Sequence, residues 1–306
     1  MQNRVNLIRR PLRNLTCPYC FVSLEDVKST KEHVIGRGFV PKGSLNRSLN
    51  VILRACHPCN VHKSDLEDEI STLSMYPDLA RGYDGMGSEV QADSVRKLAK
   101  SVSRSTRKLI ADSSEEHTIN SMPLPSLKMS ISMTTPPQMN EARVFELAHY
   151  QIRGFFYALT YNPETRLGGV WPEGGFFPIT FSRRTDWGNP IHRWFMGRVA
   201  DWPERIIGHF ADNHFHIAIR RAPTAELWSF ALEWNRSTRI IGFFGRKDSA
   251  TAIAQEIPEM PMIVIGQSAD GGVFRMREDT PLPDGDDRLF YSAELKLQQP
   301  RSVSAT

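Results

Sequence analysis

An α+β fold in consecutive parts is what the 306-residue sequence predicts, on three observations. All four cysteines lie within the first 59 residues as two C-x-x-C pairs, which marks a small N-terminal unit of its own. Helical periodicity follows up to about residue 111 and recurs once after residue 140. From about Phe176 onward, short apolar runs alternate with turn residues, the pattern of an antiparallel sheet. The length suits roughly two domains at about 150 residues each. With 40% apolar and 24% charged residues, the composition excludes a disordered or fibrous chain. The expected divisions are residues 1–76, a connector of helix and linker over 77–138, and an α+β domain over 139–306.

No apolar run approaches the roughly 20 residues that cross a bilayer. The opening M-Q-N-R-V-N-L-I-R-R also lacks the apolar core of a signal peptide, so a cytoplasmic chain with no membrane partner is expected. The net charge of +4 is unevenly spread. Residues 1–63 hold eleven Lys and Arg against three acids, so the remainder is net acidic. Such a basic block suits a polyanionic partner, because phosphate neutralisation releases counterions, although arginine-rich surfaces also serve solubility alone.

The cysteines are Cys17, Cys20, Cys56 and Cys59, and none follows over the last 247 residues. Two C-x-x-C pairs without stray thiols read as a tetrahedral structural zinc site, each pair turning both thiolates toward one ion. A redox C-x-x-C would be expected once, opening a helix near a βαβ pattern. Disulfides would suit a secreted chain, which the N-terminus argues against. A plain zinc ribbon joins its knuckles through about 15–20 residues, whereas 35 separate Cys20 from Cys56. That insertion carries T-K-E-H-V-I-G-R-G and then L-N-V-I-L-R-A, and C-N-V-H-K-S-D after the second pair opens a polar helix expected to run to about Met75.

Taken together, C-P-Y-C, K-E-H-V-I, L-N-V-I-L and C-H-P-C-N-V-H-K-S-D resemble the HNH endonucleases, in the subgroup stapled by four cysteines. The resemblance covers about residues 14–75 and implies the ββα-metal fold, in which a β-hairpin and one helix grip a catalytic divalent ion. It implies His33 as the general base toward water, a task suited to an unperturbed pKa of about 6.5. Glu32 and Asn60 match the ligands of the catalytic ion, and Asn50 matches the asparagine that tethers the loop and orients the base. Adjacent strand residues face opposite ways, so Glu32 and His33 must sit at a strand end or bulge for both to reach a phosphate.

Oxygen donors imply magnesium or manganese, with phosphodiester hydrolysis giving 5′-phosphate ends. The chain departs from the pattern in using Glu32 where Asp or His is commoner, and Ser64 where a third imidazole ligand would stand. Both departures suit a magnesium-type site. Arg37, Lys42, Arg54, His62 and Lys63 are the expected nucleic-acid contacts, with His62 and Lys63 alternatively on a solvated helix face. DNA is the preferred substrate, and restriction or antiviral defence the setting the resemblance suggests first. The alternative is a non-catalytic, zinc-dependent nucleic-acid-binding regulator with Glu32 and His33 as surface groups.

Beyond this unit, Val90–Ala111 reads as one basic amphipathic helix, and Ser113–Gln138 as a linker holding a strand at Leu127–Met133. Asn140 caps an apolar helix reaching Leu159. Strands are expected at Phe176–Ser182, Arg205–Phe210, His214–Arg220, Leu227–Trp234 and Arg239–Gly245, with tight turns at Asp212–Asn213 and Asn235–Thr238. The tail beyond about Asp284 is expected to fray. His209, His214 and His216 make a second metal site conceivable, but sheet-face histidines are more often solvated. The six tryptophans, all after residue 170, default to core. This half carries no motif of its own and is expected to select the target, bind a small-molecule signal or dock a protein partner.

Overall fold

The computed structural model describes residues 11–45, 50–75, 88–103, 107–113, 115–124, 127–135, 139–224, 226–268 and 272–291. The chain is mixed α+β, with a five-stranded antiparallel sheet and five α-helices among the described residues. No described helix is long and apolar enough to cross a membrane.

Two short antiparallel strands, β1 (Ser29–His33) and β2 (Ile52–Cys56), begin the structure. The first helix, α1 (His57–Met75), follows β2 without a break and reaches the expected Met75. Pro58 is tolerated at its start because the first turn needs no N–H partner.

The expected long basic helix is shorter than the sequence suggests. It is confined to α2 (Ser88–Leu98), and Val102 then pairs with Leu109 in an antiparallel bridge, with Arg107 at φ 57°. Serines and a β-branched valine after Lys100 weaken helix propagation at that point. The segment read as a linker is likewise a hairpin, β3 (Glu115–Leu124) with β4 (Leu127–Thr135). β10 (Ile263–Ser268) pairs with β3, and β11 (Val273–Met276) completes a second, four-stranded sheet.

Helix α3 (Glu141–Leu159) begins where Asn140 accepts a bond from the Arg143 N–H at 3.2 Å. Val144, Leu147, Ala148, Ile152 and Phe155 recur at three- and four-residue spacing and are fully buried. They pack on the five-stranded sheet, ordered β5 (Phe176–Arg183), β9 (Thr238–Gly245), β8 (Leu227–Trp234), β7 (Phe215–Arg221), β6 (Glu204–Phe210). The expected meander is present from β6 to β9. Its turns place Asp212, Asn213 and Asn235 at positive φ, where short polar side chains are tolerated.

Both faces of this sheet are covered. Phe230, Trp234, Ile240 and Phe244 join α3, while Ala231, Ile241 and Phe243 face α4 (Pro190–Val199) and α5 (Lys247–Ala254). Double coverage explains why β9 reads as a continuous apolar run rather than an alternating one. Four tryptophans, Trp171, Trp187, Trp202 and Trp234, are buried, and the other two are half-buried.

The fraying expected beyond Asp284 does not hold for residues 284–291. Leu289 and Phe290 are buried in the outer core, and Asp287 binds the fully buried Arg239. Residues 292–306 lie outside the described set.

One cluster of buried residues runs from the N-terminal unit into the sheet, joining Val34, Ile35, Phe39, Leu53 and Leu66 to α3 and to Phe215, Phe230 and Trp234. Gly154 allows the approach, since a Cβ there would stand 2.7 Å from Val34 Cγ2. The ββα unit is thereby pressed against the helix that also backs the large sheet.

Candidate functional site

The thiols of Cys17, Cys20, Cys56 and Cys59 converge, with all four sulfurs within 4.8 Å of one another and none in a disulfide. The first pair lies in a tight knuckle. Cys17 N–H donates to Val22 O, the Phe21 N–H returns to Cys17 O, and Phe21 takes φ 63°. The second pair straddles the junction of β2 and α1. Cys20 and Cys56 sulfurs lie 3.6 Å apart; a zinc ion with Zn–S of about 2.3 Å spaces its ligands about 3.8 Å apart. The Cys59 thiol, with the N–H groups of Cys56, Cys20 and Tyr19, holds Cys17 down to about 5, while Cys17 and burial raise Cys59 and burial raises Cys20. Four thiols this close together can hold a structural zinc. Among the described residues they are the one group of three or more Cys, His, Asp or Glu side chains close enough to share an ion. The His209 and His216 rings lie 4.5 Å apart and tilted, with His209 Nε2 at Phe290 O and His216 Nδ1 at Glu233.

Next to this cluster, a cleft of about 310 Å³ opens between the end of β1, the Gly36–Phe39 segment and α1. Glu32, His33, Arg37 and Asn60 all border it. His33 is the last residue of β1, and Glu32 precedes it in an unbroken register. The Nε2 atom of His33 is buried with no hydrogen-bond partner. Burial, followed by the nearby Arg37 and Lys31 charges, lowers its pKa below the usual imidazole value. Asn50 clamps both backbone groups of Ile35, accepting from its N–H at 3.3 Å and donating to its carbonyl at 2.7 Å. The chain just beyond His33 is thus fixed in place. Asn60 donates its amide nitrogen to Thr30 Oγ1 at 2.6 Å, which leaves its oxygen as the end suited to a cation.

Glu32 is 3% exposed and points inward, its Oε1 accepting from Tyr19 OH at 2.9 Å and lying 2.8 Å from Lys63 Nζ. Lys63, expected at the nucleic acid, is instead 1% exposed. Its ammonium lies between Glu32 and Glu67, 2.6 Å from the latter, and donates to His33 O at 3.0 Å. Burial alone would lower the Lys63 pKa, but the two carboxylates reverse this and raise it. A buried ammonium serving two carboxylates and a carbonyl has no donor to spare for a phosphate. His62, exposed, turns to Glu146 of α3 at 2.6 Å and away from the cleft. Arg37 and Lys42 are exposed. Arg54 does not border the cleft; it stands opposite Lys31 in the hairpin register and lines a separate groove.

Three cleft residues escape a reading of the sequence. Glu67 is bound by Lys63 and by Gly36 N–H at 3.0 Å, and its i,i+4 spacing from Lys63 on α1 was the available signal. Asp68 borders the same space. Lys97, from α2, donates to Gly38 O and to Ser71 Oγ, and burial lowers it to about 8. Nothing in the local sequence brings α2 to this cleft.

Gly36 has a specific steric reason to be glycine, because a Cβ there would collide with the Glu67 carboxylate, which Lys63 anchors. Gly36→Ala should cost about 1–3 kcal/mol, as overpacking does. Chemical denaturation would measure it, and Gly38→Ala, where a Cβ meets nothing within 4 Å, should cost less.

No protein-family model, curated protein or solved structure matches this chain.

Proposed function

We propose that the chain is a metal-dependent endonuclease of the HNH type, hydrolysing phosphodiester bonds with DNA as preferred substrate. The observation that carries this reading is the convergence of His33, Glu32 and Asn60 on one cleft, with the imidazole Nε2 buried and unpartnered. An unpaired buried nitrogen is costly and is well suited to receive a proton from a bound water. Glu32 and Asn60 would hold magnesium or manganese, matching the preference of those ions for oxygen donors. When bound, such an ion polarises the phosphodiester and stabilises the charge that develops on it.

His33 takes the proton of the attacking water as its oxygen bonds to phosphorus. The bond to the 3′ oxygen breaks, leaving a 5′-phosphate. Lys63 and Asn50 position this base, the first through the His33 carbonyl and the second through Ile35. A cytoplasmic effector of restriction or antiviral defence fits such an activity, with the C-terminal half addressing a target, a signal molecule or a protein.

One observation favours a second reading, a zinc-dependent nucleic-acid binder without catalysis. Glu32 Oε1 already serves Lys63 and Tyr19, so its carboxylate also works as an internal counter-ion.

Plasmid and linear duplex incubated with magnesium, manganese or chelator discriminate the two. His33→Ala should lower cleavage by about 10²–10⁴-fold, the usual contribution of a general base, with zinc content and DNA affinity unchanged. Only neutral His33 can accept a proton, so activity should fall as pH drops through its pKa. That pKa is lowered, so the acid limb should lie below about pH 6.5. Metal-dependent cutting that survives in His33→Ala would refute the assignment.

A further inference from the structure

A second and larger groove of about 520 Å³ lies along the β1–β2 pair, on the face opposite Glu32. Arg13, Lys31 and Arg54 border it, and no described carboxylate does. Lys31 and Arg54 are direct partners in the antiparallel register, so the fold sets two cations face to face. Like charges in that position cost stability unless an anion joins them.

The arrangement is also held in place. Arg54 Nη2 donates to Ser29 Oγ at 2.6 Å. The fully buried Asn14 bonds both backbone groups of Arg54, at 2.9 and 2.7 Å. Lys31 borders the groove and the cleft alike. His33 lies two residues further along the same face of β1, about 6.7 Å away at the usual strand rise. The cations therefore form a row that leads to the imidazole.

We propose that this groove binds the sugar–phosphate backbone of a nucleic-acid strand, Arg13, Lys31 and Arg54 neutralising phosphates beside the one in the cleft. The inference rests on the nucleic-acid reading above but not on catalysis, and its test keeps the two apart.

Labelled single-stranded DNA, duplex DNA and single-stranded RNA are titrated with the full chain across a salt series without divalent ions, with binding read by fluorescence anisotropy. Each phosphate neutralised contributes about 0.7–0.9 to the slope of log affinity on log salt. The Arg13→Ala/Lys31→Ala double variant should therefore lower the slope by about 1.4–1.8 on the strand form that binds best. Zinc content and far-ultraviolet circular dichroism should not change. Lys31→Glu should weaken binding at least tenfold at the lowest salt, and Lys100→Ala, a cation outside the groove, should not. A slope unmoved in the double variant, an equal loss in Lys100→Ala, or no binding to any of the three oligonucleotides overturns the groove. Groove-dependent binding without metal-dependent cleavage keeps the groove and retires the hydrolase, whereas cleavage with an unmoved slope does the reverse.

Discussion

Cys56→Ser, or removal of metal by a strong chelator, should unfold the N-terminal knuckles and strip β1 of its register. The residues that pack around the thiols are few: Cys17, Tyr19, Leu24, Ala55 and Cys56 make up the buried group there. A core of that size cannot by itself offset the conformational entropy of the knuckle segments, because Val34, Ile35, Phe39 and Leu53 belong to the main core instead. Structural zinc supplies on the order of 10–16 kcal/mol in small metal-folded units, far more than those contacts. Cys56 also sits where β2 passes into α1, so a zinc held there would fix the angle at which Asn60 and Lys63 face Glu32. Elemental analysis should find about one zinc per chain, and near none in the variant. Hydrogen exchange should show residues 12–35 losing protection while β7, β8 and β9 keep theirs. A chain that carries no zinc, yet retains its protection pattern in chelator, would remove the metal from the account of this fold.

Arg239→Met should be the most damaging single change in the C-terminal half. Arg239 has no exposed surface and lies opposite Glu233 in the β8–β9 register. Its Nη2 binds Glu233 at 2.8 Å and Asp287 at 2.5 Å, and its guanidinium lies 3.8 Å from the centre of the Trp187 ring. Against burial, which works the other way, His216 and Arg239 hold Glu233 down to about 2. Methionine retains volume but leaves two carboxylates without their cation, which costs about 3–5 kcal/mol in buried pairs. Thermal unfolding should shift down by on the order of 10 °C. Limited proteolysis should cut within residues 279–291, the segment that Asp287 ties down. An unchanged melting temperature with no new cleavage would show that the strap is held by Leu289 and Phe290 alone.

The parts of this molecule that were legible in its sequence are those governed by local rules. Asn140 announced a helix because its side chain has a nearby N–H to satisfy, and Asp212, Asn213 and Asn235 announced turns because they tolerate positive φ. The two C-x-x-C pairs declared a shared ligand set because each spacing already turns both thiols one way. What stayed hidden depends on distant partners. Residues 115–124 look too polar for a strand until β10 supplies the other edge, with Gln267 opposite Asn120 and Ser268 opposite Ile119. Lys63 was misplaced at the surface because the two carboxylates that hold it lie 31 residues before it and one helical turn after it, and only the folded hairpin makes a triad of them. Lys97 enters the cleft through the packing of α2, which no periodicity encodes. The 284–291 strap looked loose because the sequence shows its charges and conceals that Arg239 awaits one of them.

The contact of Gly154 with Val34 has a mechanical consequence. Val34 is the very next residue after His33, and its side chain rests on α3 where that helix has no side chain of its own. The other side of α3 bears on the aromatic layer of the large sheet. The imidazole is therefore mounted on the short arm of a lever whose long arm is the sheet. Helix and sheet together thus form the rigid seat from which that arm projects.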